Sequence, residues 1–236
     1  MNNLEEYKVK YYTYDTKKYP FIKLMCNLFN IDNLNNIHNL LDNKVSEELF
    51  TNENDDTTKL HEIFYKKLNN NWVEFNEVYL KFIKKVMTDI FSEKSIIYQT
   101  KPTFRVQLPN NIAVGGNDKD SYDRYGWHKD TDDEYNHPTF EKNFIIPLTD
   151  SDETASIYIE TYPKSDEFKA AKMRVGEFFQ FKGGECVHGN KPNKTGKSRV
   201  SLDFRVVLKS DYNKDYEKIS KLSSKKFVIG GYYNEL

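Results

Sequence analysis

The spacing of apolar residues changes from a helical period to a strand-like period close to residue 95. Upstream of that point, Leu60, Ile63, Phe64 and Leu68 recur at three- and four-residue steps, which predicts a helix ending near Leu68. A longer helix is predicted next, with one apolar stripe that packs against a sheet. The stripe consists of Val73, Phe75, Val78, Tyr79, Phe82, Ile83, Val86 and Ile90.

The first part of the chain has a weaker pattern. Apolar residues occur at mixed helical spacing in two stretches, Phe21–Phe29 and Ile37–Phe50. The polar run 51–56 that follows predicts a loop, with Asp56 or Thr57 capping the next helix. We therefore expect a mostly helical support region over residues 1–95.

From residue 96 onward, apolar and polar residues alternate in short runs. These runs predict strands over Ile96–Tyr98, Phe104–Leu108, Phe144–Leu148, Ser156–Ile159, Phe178–Phe181 and Arg199–Leu208. Residues 109–126 are rich in Asn, Gly and Asp and predict a loop, and Gly183-Gly184 predicts a tight turn. Many short strands without helices between them favour a sandwich or closed jelly-roll, here over residues 96–210.

The composition narrows the function classes. The 236 residues carry 35 basic and 36 acidic side chains, so no basic excess suggests a nucleic-acid partner. The 17 Tyr and 16 Phe favour a β-rich core. Two cysteines make no disulfide framework, and no apolar run reaches the length of a membrane span. We expect one soluble, cytoplasmic domain over residues 1–236.

Two motifs carry the candidate chemistry. His128-Lys129-Asp130 provides an imidazole and a carboxylate, and His188 provides a second imidazole further along the chain. Two imidazoles and one carboxylate occupy one face of a metal and leave its other positions open, as ferrous iron requires when it must also bind a co-substrate and oxygen. The sequence therefore predicts an iron site at His128, Asp130 and His188.

The strand that begins at Arg199 alternates strictly between polar and apolar residues. One face carries Arg199, Ser201, Asp203 and Arg205, and the other carries Val200, Leu202, Phe204 and Val206. A solvated polar face would give the same pattern. We favour a binding face, because Arg can clamp a carboxylate with two parallel hydrogen bonds and Arg199 with Ser201 could hold a dicarboxylate.

The chain resembles the iron(II)/2-oxoglutarate-dependent oxygenases of the double-stranded β-helix fold. The segment 188–199, HGNKPNKTGKSR, is similar to the second-histidine segment of the phytanoyl-CoA hydroxylase-like branch. The motif at 128–130, the strand ending at 146–148 and the run 199–205, RVSLDFR, resemble small oxygenases of the streptomycin-biosynthesis type. The resemblance covers about residues 57–210 and implies a jelly-roll barrel, mainly β, flanked by N-terminal helices.

The resemblance also implies roles for individual residues. Iron(II) would bind to the predicted triad, and 2-oxoglutarate would place its distal carboxylate on Arg199 with a hydrogen bond from Ser201. Gln107 and Asn190 are further candidates for contact with the co-substrate. Because Asp130 is retained, where halogenating members carry a small residue, hydroxylation or another oxidation is implied.

Other interpretations remain open at this point. A cupin-like metalloenzyme, such as an isomerase or a sugar-modifying enzyme, would use the same ligands without Arg199. A metal-free jelly-roll binding module is a third possibility. Cys186 would share a face with His188 in an extended segment, but we leave it out of the metal site because a packed thiol is the commoner role.

The expected partner is a small polar metabolite, with no nucleic acid and no membrane. Arg105, Asp203 and Arg205 are candidate substrate-binding residues at the mouth of the barrel. Asp203 and Arg205 could instead neutralise each other as a structural pair. The aromatic tail within residues 211–236 could cover the mouth or pack on the outside of the barrel.

Overall fold

Two antiparallel sheets and a set of helices form the fold. The computed structural model describes residues 4–41, 58–92, 95–112 and 126–236 of the chain. The predicted loop at 51–56, its cap Asp56 or Thr57, and most of the loop predicted over 109–126 lie outside the described residues.

Most of the helices precede the main run of strands, as predicted. Their bounds are α1 Phe21–Phe29, α2 Lys59–Asn69, α3 Val73–Phe82 and α4 Thr88–Phe91, with a π-helical turn Ile83–Met87 joining α3 to α4. Short 3-10 helices cover Leu4–Tyr7, Leu34–Leu40 and Glu153–Ala155.

The predicted apolar stripe of the longer helix is wrong at its start. Val73 is 53% exposed, whereas Phe75, Phe82 and Met87 are buried. The π-helical turn is wider than an α-helical turn, so it changes which side chains face inward beyond Phe82. Met87 is therefore fully buried, while the predicted Val86 is only half-buried.

The structure has strands at all six predicted places and at four others. The strands are β1 Lys10–Thr13, β2 Ile96–Gln99, β3 Thr103–Gln107, β4 Lys142–Pro147, β5 Ile157–Glu160, β6 Phe168–Ala171, β7 Glu177–Phe181, β8 His188–Asn190, β9 Arg199–Leu208 and β10 Tyr233–Glu235. The sequence analysis missed β1, β6, β8 and β10. The predicted turn at Gly183-Gly184 is confirmed between β7 and β8.

All the strand pairs are antiparallel. The larger sheet has the order β1-β7-β4-β9-β2-β10, with β3 also paired to β9, and the smaller sheet has the order β6-β5-β8. A closed barrel is not shown by the strand pairs of the described residues. The long strand β9 organises the larger sheet, because it pairs with β4 along one edge and with β3 and then β2 along the other.

The alternation along β9 is confirmed, since its apolar face lies in the core. Val200, Leu202, Phe204 and Val206 are at most 1% exposed and belong to the main apolar cluster, which the helices cover. Phe204 stacks on Phe144 of the neighbouring strand β4, with ring centroids 5.3 Å apart. The opposite face of β9 points towards the smaller sheet, and the candidate site lies there.

Candidate metal and dicarboxylate site

The three predicted ligands meet at one point. The candidate ligand atoms of His128, Asp130 and His188 all lie within 4.8 Å of one another. The Nε2 atoms of both histidines lie 3.7 Å from Oδ1 of Asp130. Strand β8 carries His188, and His128 forms an isolated bridge with it through two backbone hydrogen bonds of 2.9 and 3.0 Å. The backbone pairing thus brings together ligands from distant parts of the chain.

The surroundings of the two imidazoles orient their ring nitrogens. Nδ1 of His128 lies 2.7 Å from the carbonyl oxygen of Gly126, and Nδ1 of His188 lies 3.2 Å from that of Cys186. A proton on each Nδ1 donates a hydrogen bond to the corresponding carbonyl oxygen. The lone pair of each Nε2 then points to the position that the ligand atoms of the triad surround. Burial, with a smaller contribution from His128, lowers the pKa of His188 to about 4, so His188 is neutral at neutral pH.

The third ligand is charged at neutral pH. Burial on its own raises the pKa of the Asp130 carboxyl, but Arg205, His128 and His188 together outweigh burial and hold it well below its ordinary value. Metal ligands must be deprotonated, and both the neutral imidazole of His188 and the anionic carboxylate of Asp130 meet this requirement. The donor set is therefore chemically suited to a divalent metal such as iron(II).

Gly189 allows the close packing between the two histidine segments. A Cβ atom at this position would lie 2.2 Å from Cδ1 of Trp127, far inside van der Waals contact. The indole of Trp127 donates a hydrogen bond to the Asn190 carbonyl at 3.0 Å and stacks against Tyr158. Only glycine lets β8 approach the tryptophan this closely, and so holds His128 beside His188.

Arg199 and the triad share one inner compartment, which residues of both sheets line. This compartment, about 50 Å³ in volume, is lined by Arg199 and Asn190 and by all three residues of the triad. Arg199 is 2% exposed, and its nearest polar contacts are long: 3.5 Å from Nη2 to Oδ1 of Asn190, and 4.0 Å from Nη1 to the sulfur of Met173.

The guanidinium of Arg199 is poorly neutralised. Among the described residues no carboxylate forms an ion pair with it, and its Nε has no hydrogen-bond partner. Burial lowers the pKa of Arg199 to about 10; the negative charge of Asp203 opposes this shift only in part, and Arg105 makes a smaller contribution in the same direction as burial. A buried cation of this kind fits a ligand that carries a carboxylate.

The other predicted co-substrate residues divide into two groups. Asn190 lines the inner compartment. Ser201 and Gln107 are not among the described residues that line it: the Ser201 hydroxyl donates to Asp203 Oδ1 at 3.0 Å. The Gln107 amide donates to the carbonyl of Asn111 at 3.1 Å and to that of Lys191 at 2.7 Å, so it supports the neighbouring loops.

The three predicted substrate residues, Arg105, Asp203 and Arg205, all line the inner compartment. The suggested ion pair between Asp203 and Arg205 is wrong. Asp203 Oδ2 is paired with Nε of Arg105 at 3.2 Å, whereas Arg205 contacts Oδ2 of Asp130 at 2.9 Å and Oε2 of Glu141 at 3.5 Å. Arg205 is therefore tied to a residue of the triad.

A second, outer compartment of about 270 Å³ also reaches the triad, through His128 and Asp130. Leu222 is the single aliphatic residue among those that line it in the described chain. The lining comprises His61, Tyr65, Thr103, Arg105, His128, Asp130, Tyr135, His137, Arg205, Ser220, Leu222, Ser223, Lys225 and Tyr232. This wall of hydrogen-bonding groups suits a polar ligand.

The C-terminal segment packs on the larger sheet and also lines the outer compartment. The buried side chains of Phe227 and Tyr233 pack against β2 and β9, whereas Ser220, Leu222 and Tyr232 line the outer compartment. The packing anchors the segment, so the wall of the compartment is held in place.

The sequence analysis missed several residues around the triad. Asn143 donates a hydrogen bond to Oδ2 of Asp130, and Glu141 pairs with Nδ1 of His137 at 2.7 Å. The ring of Tyr135 stacks on His128 with centroids 4.1 Å apart. Asn143 lies between Lys142 and the apolar run of β4, so no sequence signal distinguished it from an ordinary polar strand end. The omission of Cys186 agrees with its burial, which raises the pKa of its thiol to about 12.

None of the described helices has the length and the apolar character that a transmembrane helix requires.

Comparisons with known proteins identify one family. No family model matches the chain. Two solved structures are similar at 11–12% identity: AviO1 from Streptomyces viridochromogenes Tue57, with a TM-score of 0.45 over 89% of this chain and 95% of that one, and a Pseudomonas putida prolyl-4-hydroxylase, with 0.39 over 88% and 92%. These scores are too low to define the fold. The streptomycin biosynthesis protein StrG of Streptomyces griseus is 30% identical over 206 residues, 87% of each chain. The chain therefore belongs to the family of StrG.

Proposed function

We propose that this protein is an iron(II)- and 2-oxoglutarate-dependent oxygenase that oxidises a C–H bond of a small polar substrate. The observation that carries the proposal is Arg199, a buried cation without an ion-pair partner in the described chain, in the same compartment as the triad. The cupin-like alternative and the metal-free binding module have no use for such a residue, whose burial costs stability.

The residues fit the two bound groups. Iron(II) would be held by Nε2 of His128, Nε2 of His188 and a carboxylate oxygen of Asp130. The distal carboxylate of 2-oxoglutarate would pair with Arg199, with Asn190 beside it. The inner compartment, with a volume of about 50 Å³, favours a small dicarboxylate over a bulky ligand.

The bound groups would supply the oxidation: 2-oxoglutarate and oxygen become succinate and carbon dioxide, and one oxygen atom passes to the substrate carbon. The chain itself positions these components. The anchored C-terminal segment forms one wall of the outer compartment beside the triad.

The outer compartment supports a small substrate rich in hydrogen-bonding groups. Its volume of about 270 Å³ and its hydroxyl, imidazole and cationic lining favour a polar metabolite such as a sugar, aminocyclitol, amino acid or nucleotide derivative. StrG is, by its name, a protein of streptomycin biosynthesis, and this also favours a small-molecule substrate.

Titration calorimetry tests the proposal without a known substrate. Cobalt(II) replaces iron as a stand-in that does not turn over, and 2-oxoglutarate is titrated into the metal-loaded protein. Arg199→Lys keeps the charge but loses the planar fork, so we expect its affinity for 2-oxoglutarate to fall at least about tenfold. The matched control is Arg174→Lys, because Arg174 forms a 2.8 Å pair with Asp152 at the surface. An absence of 2-oxoglutarate binding by the wild type would favour the cupin-like alternative.

A further inference from the structure

The two carboxylate oxygens of Asp130 have different partners. Oδ1 faces the Nε2 atoms of His128 and His188, at 3.7 Å from each. Oδ2 points the other way and accepts hydrogen bonds from Nη2 of Arg205, at 2.9 Å, and from the side-chain amide of Asn143. Asp130, Asn143 and Arg205 are each at least nine-tenths buried. One oxygen is therefore directed at the candidate metal position and the other is engaged by the protein.

The architecture of the larger sheet explains this convergence. Asn143 on β4 and Arg205 on β9 are directly opposite each other in the strand register. Cross-strand partners of this kind project on the same face, so both side chains reach the same oxygen of Asp130. Arg205 forms a second ion pair with Glu141, whose Oε2 lies 3.5 Å from Nε of Arg205.

Glu141 is itself fixed in place. Its carboxylate pairs with Nδ1 of His137 at 2.7 Å and accepts a hydrogen bond from the Tyr233 hydroxyl. Both ion pairs of Arg205 are thus made with carboxylates of the chain, and neither depends on a substrate. This arrangement favours a positioning role for Arg205 over the predicted role in binding substrate.

The partners of Oδ2 decide how Asp130 can bind a metal. A carboxylate may coordinate through one oxygen or chelate through both. Chelation would require Oδ2 to give up or share two hydrogen bonds to a carboxylate in a buried site, one from the Arg205 guanidinium and one from the Asn143 amide, which is costly. Coordination through Oδ1 alone keeps both bonds. It also leaves half of an octahedral coordination sphere for the co-substrate and oxygen.

We propose that Arg205 and Asn143 are positioning residues that reserve Oδ2 of Asp130 for the protein, so that Asp130 binds the metal through Oδ1 alone. This inference rests on the proposed function, because it requires a metal at the triad. It adds a requirement that the triad by itself does not impose: coordination through one oxygen depends on these two donors.

Cobalt(II) binding to the whole protein tests the inference. Arg205→Lys keeps the positive charge but loses the planar guanidinium with its paired N–H donors. Asn143→Leu removes the amide donor with little change in side-chain shape. Affinity is measured by titration calorimetry in the absence of 2-oxoglutarate, and the coordination number is followed by the visible absorption spectrum of the bound cobalt. Thermal unfolding of the metal-free variants is recorded separately. The control is again Arg174→Lys.

We expect each site variant to bind cobalt(II) about 10–100-fold more weakly than the wild type, as loss of a partner of a metal ligand typically causes. The spectrum should also change in band shape and intensity, which a purely structural role would not produce. Asn143→Leu carries the test if Arg205→Lys does not fold. Wild-type affinity and spectrum in folded variants would overturn the inference and leave the proposed function intact. If the wild type itself binds no cobalt(II), the proposed function fails as well.

Discussion

Replacing Arg199 by methionine should make the metal-free protein more stable while removing its affinity for 2-oxoglutarate. Methionine is flexible and fills irregular space, so it can occupy the volume of the arginine stem among buried neighbours. The substitution removes a guanidinium that is 2% exposed and has only long contacts with Asn190 and Met173. A structural arginine would show the opposite sign, because its removal would break stabilising bonds.

The size of the stability gain expected for Arg199→Met follows from the lowered pKa of Arg199. Its pKa of about 10 in the folded state lies below the unfolded value, so the native state disfavours the charged form. This cost is fully present at every pH well below 10, declines as the pH rises from the folded pKa of about 10 towards the unfolded value of 12.5, and is absent above that value. The difference corresponds to about 3 kcal/mol. With some packing lost, we expect a net gain of about 1–3 kcal/mol, or several degrees in Tm for a chain of this length.

Thermal unfolding at neutral pH with a chelator measures the first effect. A second series with cobalt(II) and saturating 2-oxoglutarate measures the other, because a ligand that binds only the native state raises Tm. The wild type should gain stability from 2-oxoglutarate, and Arg199→Met should gain none. The prediction is wrong if Arg199→Met lowers the free energy of unfolding of the ligand-free protein by more than about 1 kcal/mol. It is also wrong if 2-oxoglutarate still raises the Tm of the variant.

Three further predictions follow from the geometry. Gly189→Ala should displace Trp127 and cost about 1–3 kcal/mol in chemical denaturation, with weaker metal binding, because the new Cβ would lie 2.2 Å from the indole. The free energy of unfolding of the metal-free wild type should fall by up to about 3 kcal/mol as the pH falls from 6.5 towards 4. The cause is that His188 takes up a proton in the unfolded state but not in the native state. In urea titrations, His188→Gln should remove this dependence on pH. Arg105→Met should cost about 1–2 kcal/mol of unfolding free energy by leaving Asp203 without its 3.2 Å ion pair, and an unchanged denaturation midpoint would contradict this.

Local patterns predicted the parts of the fold in which one face of an element is buried. Strand β9 is the clearest case, since its alternation identified both the core face and the polar face. The missed strands lack that signal: β1 is an edge strand with mostly exposed side chains, and β8 is a three-residue strand that carries His188 and Asn190 in place of an apolar alternation. The π-helical turn before α4 was equally invisible to a fixed helical period.

The candidate site could be predicted at the level of residue types but not of pairing. Alternation places Asp203 and Arg205 on one face, yet it does not show which side chains approach from neighbouring strands. Arg205 faces Asn143 across the β4–β9 pair and reaches Asp130, and Asp203 is within reach of Arg105 on β3. These partners depend on strand register, which no single segment encodes.

Oxygen-dependent turnover of 2-oxoglutarate is the measurement that decides whether the protein is an iron(II)- and 2-oxoglutarate-dependent oxygenase. Wild-type protein loaded with iron(II) is supplied with 2-oxoglutarate under air, and succinate formation is followed together with oxygen consumption. We expect the succinate formed to equal the oxygen consumed, and no succinate under nitrogen. Asp130→Ala removes the only carboxylate of the described triad, so we expect it to abolish the activity. Succinate formation at the same rate in wild type and Asp130→Ala, or none above the level of free iron(II), would contradict the proposed function.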